Sequence, residues 1–299
     1  MIATLIFIYI VNLMLLLGGV VLLDRGKAIF GERWAGIREN LERAPGLDLA
    51  VTYFTALPLF GGFLLGHRAG QGSLLFGLVG MVAGALAMSS AVILWTNLHE
   101  RQHSEAVKGP RIVKALNAQV GPIRNHIAVW YTALAVPVFW IIRLAEYVVY
   151  PPVAVLIKLP RYKHGDWVNI SRHKFEGLVG HDLIWCLYCD WMTGIWSLGS
   201  EMLRNIESFW CPIRFYDNKK CENCKIDFPD VDNSWVPADG NMQDVSDLIT
   251  NKLSDGNHSW HGHPTRLTVE GEELAQVETP AVTPSPSQEP SGPEEQANT

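Results

Sequence analysis

The stretch LLFGLVGMVAGALAMSSAVILWT, residues 74–96, decides the fold class of this chain of 299 residues. It contains no charged side chain, and a helix of this length, rising about 1.5 Å per residue, crosses a hydrocarbon layer of about 30 Å. The small residues along it are Gly77, Gly80, Ala83, Gly84, Ala85 and Ala87. Because small side chains let helices approach closely in lipid, the stretch predicts a transmembrane helix packed tightly against a neighbour.

Two earlier stretches have the same character. Residues 1–23 are uncharged and lack the basic start and small-residue cleavage site of a signal peptide, so we expect a retained helix. Residues 47–65 are again mostly apolar. The three connections after these spans carry five, one and five basic residues in turn. The positive-inside rule therefore predicts that residues 24–46 and 97–125 are cytoplasmic and that the N-terminus is outside.

The apolar region 127–157 has two interpretations. Its interruptions are Pro137, Pro151 and Pro152, and Arg143 and Glu146 lie three residues apart, on one helical face, where they are placed to pair. The next segment, 158–180, carries five basic residues, which favours the cytoplasmic side. We therefore expect either a hairpin with an even number of crossings or one span followed by an interfacial helix.

Composition fits a membrane protein and excludes a nucleic-acid binder. Charged residues make up 18% of the chain, below the usual quarter or so. The net charge of -6 is misleading, because seven of the 30 acidic residues follow Arg266. The rest is close to neutral and has no basic stripe with interleaved aromatic residues. The residues after 266 are rich in Pro, Glu, Ser and Thr and lack aromatic side chains, which predicts disorder.

These patterns predict a mainly α protein with three parts. Residues 1–157 form a transmembrane helical domain, residues 158–266 a small, irregular, Cys/His- and aromatic-rich cytoplasmic domain, and residues 267–299 a disordered acidic tail rich in proline. We expect a bacterial inner-membrane protein whose partners are the lipid bilayer and other membrane subunits, with no nucleic acid.

The cysteines are the strongest chemical signal. All five lie between residues 181 and 224: Cys186, Cys189, Cys211, Cys221 and Cys224. Two Cys-x-x-Cys spacings each bring two thiolates toward one metal ion, and an odd count argues against a disulfide scaffold. KKCENCKIDFP, residues 219–229, resembles one knuckle of a zinc ribbon, and its lysines favour thiolates. A Cys–Pro pair such as Cys211–Pro212 also occurs among Fe–S ligands.

We therefore predict a Zn or Fe–S site built on Cys211, Cys221 and Cys224, with Cys186 and Cys189 as co-ligands. Further candidate ligands are His173, His181, His258, His261 and His263. The last three form a histidine-rich segment that could also be an exposed turn. The leading functional hypothesis is a membrane protein that uses this metal site in a membrane-associated redox or assembly process.

A redox dithiol is the first alternative. The apolar segment WCLYC, residues 185–189, is similar over five or six residues to the Cys-x-x-Cys of membrane thiol oxidases of the vitamin K epoxide reductase kind. That resemblance implies a dithiol at membrane level that passes electrons to a quinone, and it requires an oxidising compartment. The remaining interpretations of these thiols are that they are buried or free, in a non-catalytic membrane scaffold.

A metalloenzyme is the second alternative. His99, Glu100 and His103 form an HExxH motif at the end of the third span. On a helix both imidazoles share a face, so they can bind one metal ion while the glutamate acts as a base. The candidates for a third ligand are Glu105, His126 and His173. Such a short motif also arises by chance among solvated interfacial residues.

Overall fold

The computed structural model describes residues 2–159, 161–214 and 235–253, and the described chain is mainly helical, as predicted. Three short 3₁₀ turns lie between the helices, at Gly31–Arg33, Ala133–Ala135 and Arg172–Lys174. The α-helices are α1 (Ile2–Phe30), α2 (Trp34–Leu41), α3 (Gly46–Phe54), α4 (Ala56–Ala69), α5 (Leu74–Gln102), α6 (Ser104–Lys108), α7 (Ile112–Val120), α8 (Pro122–Thr132), α9 (Val136–Val148), α10 (Tyr150–Ile157), α11 (His164–Trp167), α12 (Gly180–Trp210) and α13 (Met242–Leu253).

Within the described residues, three helical stretches are long and apolar enough to cross a membrane: Ile2–Leu41, Leu74–Gln102 and Pro122–Ile157. The pair α3 and α4, bent by 45° at Thr55, counts as a fourth if it is taken as one span. Helices therefore form over all three of the clear predicted spans. The first continues past residue 23 to Phe30 before the chain turns.

Helices α1, α4 and α5 pack as a bundle in which α4 and α5 approach closely through glycines. A Cβ added at Gly84 would lie 1.9 Å from the Pro58 carbonyl oxygen, and one added at Gly80 would lie 2.2 Å from that of Gly62. Only glycine fits at such distances, which explains the small residues of the 74–96 stretch. Gly66 faces Phe76 on the same two helices, so α4 and α5 run antiparallel.

The antiparallel arrangement places the start of α3 and the end of α5 at one end of the bundle. The connections 24–46 and 97–125, each with five basic residues, lead into or out of this end. We call it the basic end. The sequence prediction that these two connections share a side is consistent with this arrangement.

Residues 122–157 form a nearly continuous run of helix and not a hairpin. The helix is interrupted only around Ala133–Ala135 and at Val149. Pro137, Pro151 and Pro152 lie in the first turns of α9 and α10, where a missing backbone N–H is tolerated because those groups have no intrahelical acceptor. The prolines that suggested a hairpin therefore begin helical segments without reversing the chain.

Residues 180–210 depart from the irregular structure predicted for the domain 158–266. This segment is the single 31-residue helix α12. Its first half packs beside α8 and α9 through ring pairs at three levels: His126 with His181 at 5.0 Å, Trp130 with Trp185 at 5.4 Å, and Trp140 with Trp191 at 5.2 Å. Residue numbers rise in the same direction along both helices, so the two run parallel.

The chain divides into two compact units. The first comprises residues 1–156 and 161–203, so the domain boundary lies later than the predicted position at residue 157. The second comprises residues 157–160 and everything after 203. In its described part, Val236 donates to the Pro212 carbonyl at 2.8 Å, and the Arg204 guanidinium lies 5.1 Å from the centre of the Trp235 ring. The predicted tail, 267–299, lies outside the described residues.

Candidate functional site

A buried arginine joins the end of α5 to the start of α12. Arg111 donates from Nη2 to Glu100 Oε1 at 2.8 Å and from Nε to Asp182 Oδ2 at 2.7 Å. The same guanidinium also donates to the Val179 carbonyl at 3.2 Å. Because the side chains of Arg111 and Asp182 are almost fully buried, the three charges are held in a medium where an unpaired charge would be costly.

The two carboxylates of this cluster also accept backbone hydrogen bonds. Glu100 Oε1 accepts from the His181 N–H at 3.1 Å, and Asp182 Oδ1 accepts from the Val113 N–H at 3.0 Å. Burial alone would raise the pKa of Asp182, but hydrogen bonds from His181 and Arg111 outweigh burial and lower the pKa. The charged form of Asp182 is therefore the form that the fold stabilises.

The HExxH residues take part in this cluster. His99 Nδ1 accepts from the Gly180 N–H at 3.1 Å, and His103 Nδ1 lies 2.9 Å from the His99 carbonyl oxygen. The carboxylate of Glu100 is occupied by Arg111 and the His181 N–H. Among the residues that the structure describes, no three His, Cys, Asp or Glu side chains are grouped so that they could hold a metal ion.

The proposed third ligands of that motif have other contacts. Glu105 pairs with Lys108 at 2.7 Å, and the His126 ring stacks on that of His181. His173 Nε2 lies 3.2 Å from Glu42 Oε1 without hydrogen-bond geometry. Each of these three side chains therefore has a neighbour other than His99 and His103.

A second buried arginine joins α9 to the start of α3. Arg143 donates to Asp48 Oδ2 from Nη2 at 2.7 Å and from Nε at 3.0 Å, and it also pairs with Glu146. The Arg143–Glu146 pair is the one predicted from their spacing of three residues. Asp48 Oδ1 accepts from Trp191 Nε1 at 3.0 Å, so this cluster ties α12 to the same point.

Two aromatic rings complete the second cluster. The Tyr147 hydroxyl donates to Asp48 Oδ2 at 2.7 Å, and the His164 ring stacks on Tyr147 with 4.6 Å between centres. Burial, together with the Arg143 guanidinium, lowers the pKa of His164. The imidazole is therefore neutral at about pH 7, and Nδ1 accepts from Arg143 Nη1 at 2.9 Å.

The first cysteine pair lies in the parallel-packed half of α12. Cys186 and Cys189 are free thiols, half-buried and one helical step apart. Arg172 pairs with Asp190 at 2.9 Å, and the sulfur of Cys189 lies 3.7 Å from the Thr193 hydroxyl oxygen. Burial raises the pKa of the Cys186 thiol, and Arg172 offsets only part of that effect. The two thiols therefore differ in their surroundings.

The other predicted ligands are described only in part. Cys211 is a free, exposed thiol that directly follows α12. His181 Nε2 accepts from Trp185 Nε1 at 3.2 Å. The five remaining candidates lie outside the described residues: Cys221, Cys224, His258, His261 and His263. The shared thiolate site thus stays a prediction.

Sequence reasoning missed the two arginine clusters as units. Asp48 stands alone in an apolar stretch, and it meets a partner 95 residues later in the chain. Arg111 was counted only as a basic loop residue, and Asp182 was not singled out. The available signal was an isolated charge at the border of an apolar helix, which needs a partner when it is buried.

Comparison with known proteins gives no further guide to function. The chain matches no protein-family model, no curated protein and no solved structure.

The Arg111 cluster predicts a characteristic acid sensitivity. Because the folded protein lowers the pKa of Asp182, its contribution to stability is complete above the unfolded pKa of about 3.9 and is lost as pH falls through the folded value. Asp182→Asn should lower the free energy of unfolding by about 3–5 kcal/mol near neutral pH, because it leaves the buried Arg111 without one of its two charged partners. The measurement is the thermal unfolding midpoint in detergent at a series of pH values.

The matched control is Glu105→Gln, whose side chain is 84% exposed in its pair with Lys108. This change should alter stability by no more than about 1 kcal/mol. The unfolding midpoint of Asp182→Asn should also fall less on acidification than that of the wild type. Equal midpoints and equal pH dependence for Asp182→Asn and wild type would contradict the assigned role of the cluster.

Proposed function

We propose that this chain is an integral membrane protein that carries a Cys-based metal site, Zn or Fe–S, on its cytoplasmic side, for a membrane-associated redox or assembly process. The observation that carries the proposal is Cys211, which is exposed, free and placed directly after α12. Nine residues separate it from Cys221-x-x-Cys224 and its flanking lysines. Such surroundings favour the thiolates that a metal ion requires.

Cys211, Cys221 and Cys224 are the proposed ligands, with a fourth from the C-terminal histidines. Cys186 and Cys189 are less suited to this site than the sequence alone indicated. Burial raises the pKa of Cys186, and a buried thiol that resists deprotonation is a poor ligand. We therefore assign that pair a separate role.

The proposal is preferred to a metallohydrolase because of the contacts of Glu100 and His99. A catalytic base has to reach a metal-bound water, whereas Glu100 holds the buried Arg111 and the His181 N–H. His99 uses Nδ1 to accept from the Gly180 N–H. These contacts support a structural role for the motif at the end of α5.

The cytoplasmic side is supported by hydrogen bonds between distant segments. The Ala44 N–H donates to the Val168 carbonyl, and the Ile170 N–H donates to the Glu42 carbonyl, both at 2.9 Å. The basic segment around residues 168–174 thus shares the side of the basic connection 24–46. Under the positive-inside rule that side is the cytoplasm.

The first experiment is metal analysis with an absorption spectrum of the anaerobically purified full-length protein. We expect about one metal centre per chain. Iron with visible absorption would identify Fe–S, and stoichiometric zinc in a colourless protein would identify a structural site. Cys211→Ser and Cys221→Ser should each lose most of the metal, whereas the control Cys186→Ser should keep it. Metal-free wild-type protein, or full metal content in both ligand variants, would contradict the proposal.

A second candidate function is thiol–disulfide exchange at Cys186 and Cys189. It is favoured by two free, half-buried thiols that lie one helical step apart, and by the Arg172 guanidinium, whose positive charge interacts with both sulfur atoms. Residues three apart in a helix have Cα atoms within the range of a disulfide, and a small local movement of the helix brings their Cβ atoms close enough to close the bond. The pair therefore satisfies the geometric requirement of a dithiol that is oxidised and reduced in turn.

Thiol trapping tests this second function. Membranes treated with a quinone or a reductant are quenched with a maleimide, and the redox state of the pair is read by mass. We expect the pair to cycle between dithiol and disulfide. We also expect Arg172→Gln to slow alkylation of Cys186, because Arg172 offsets part of the rise in pKa that burial causes there. Alkylation of Cys211 serves as the control. A pair that stays reduced under every oxidant would rule this function out.

A further inference from the structure

The chain on both sides of the helical run 122–157 is attached to the basic end of the bundle. Before it, Arg111 binds Glu100 at the end of α5. After it, residues 168–170 hydrogen-bond to residues 42–44, just before α3 begins. Because α4 and α5 are antiparallel, these two attachment points belong to the same end. One crossing by 122–157 would separate them by a hydrocarbon layer of about 30 Å.

The helical run itself touches the basic end at two separated points. Near its start, His126 stacks on His181, whose N–H donates to Glu100. Further along, Arg143 binds Asp48 in the first turn of α3. Arg143 follows His126 by 17 positions, which corresponds to about 25 Å of helix. Between these two points, Trp140 Nε1 donates to Thr55 Oγ1 at 3.4 Å, at the bend between α3 and α4. The contacts therefore stay within the half of the bent pair next to the basic end, and none of them follows a span along its full length.

We infer that Pro122–Ile157 does not cross the bilayer but lies along its surface at the basic end, with its apolar face in the lipid headgroup and acyl boundary. Helix α12 lies parallel beside it over its first half. The chain then crosses the membrane three times, through α1, the bent pair α3–α4, and α5. This topology keeps the interfacial helix expected from the sequence and omits the span that was expected to precede it.

One face of the run supplies the surface that lipid would cover. Six apolar residues at helical spacing are between 53% and 74% exposed: Ile123, Ile127, Leu134, Val138, Ile141 and Val148. The other face carries the buried Asn125, Arg143 and Glu146. In an orientation along the membrane surface, the partnered polar face turns toward the protein while the apolar stripe turns toward lipid.

Lipid is the occupant favoured by the surroundings of the stripe. Leu49 follows Asp48 and Leu98 precedes His99, and both leucines are exposed on the bundle at the two attachment points. Apolar side chains are thus exposed on the bundle near the same points where the run is attached. Exposed basic residues also flank the start of the run, and they suit anionic headgroups: Arg101, Lys108, Lys114 and Arg124.

Side-specific labelling tests the topology. Lys108→Cys and Lys174→Cys place single thiols before and after the run, at positions whose side chains are 71% and 67% exposed. The parent carries serine at the five native cysteine positions. In sealed membrane vesicles, an impermeant maleimide should label both positions from the same side. Labelling from opposite sides overturns the inference.

A second version of the experiment covers the case in which the protein without native cysteines does not fold. The same two substitutions are made in the wild-type chain, and the extra label per chain is counted by intact mass. The expected and contradicting results are unchanged, because only the increment over wild type is scored. The native thiols serve as an internal reference for the orientation of the vesicles.

Lipid contact is tested by depth-dependent fluorescence quenching in nanodiscs. A fluorophore on Ile141→Cys should be quenched more by lipids brominated near the headgroup than by lipids brominated near the chain end. The control is Met14→Cys in the middle of α1, where deep bromines should quench more. Stronger deep quenching at residue 141 would indicate a crossing, and no quenching by either lipid would indicate a protein partner or a second copy. Both outcomes overturn the inference.

Discussion

Two buried guanidinium groups determine how the later helices are held against the bundle. Each arginine lies between two carboxylates from different elements, Arg111 between Glu100 and Asp182, and Arg143 between Asp48 and Glu146. A planar guanidinium with five donors suits such bridging better than an ammonium does. Because removing one partner of a buried pair leaves an uncompensated charge, each cluster penalises any arrangement that separates its elements.

The two clusters together determine how the later helices of the first unit are arranged. One is formed at the end of α5 and the other at the start of α3, so together they fix both the position and the direction of the run 122–157. Helix α12 is tied to both, through Asp182 in the first and Trp191 in the second. The ring pairs between them then pack at successive levels. The dithiol of Cys186 and Cys189 lies on this fixed helix, between the two clusters in sequence.

Local patterns predicted the helices, and long-range pairing determined their arrangement. Uncharged length and small residues were sufficient for the spans, and a spacing of three residues was sufficient for the Arg143–Glu146 pair. The partners of Arg143 and Arg111 lie 95 and 71 residues away in the chain, and no periodicity connects them. Helix α12 was missed because its Cys-x-x-Cys spacing and tryptophans resemble those of a small metal domain, while its continuous helix depends on packing beside α8 and α9.

Hydrogen–deuterium exchange of the full-length protein in nanodiscs tests the role of the two clusters most directly. If they hold the later helices, Arg143→Gln should reduce amide protection in residues 122–157 and in the first half of α12 together, while residues 74–96 keep theirs. The control is Lys108→Gln, which removes an exposed ion pair with Glu105. Unchanged protection in both helices of the Arg143→Gln variant, or an equal loss in the control, would contradict the account.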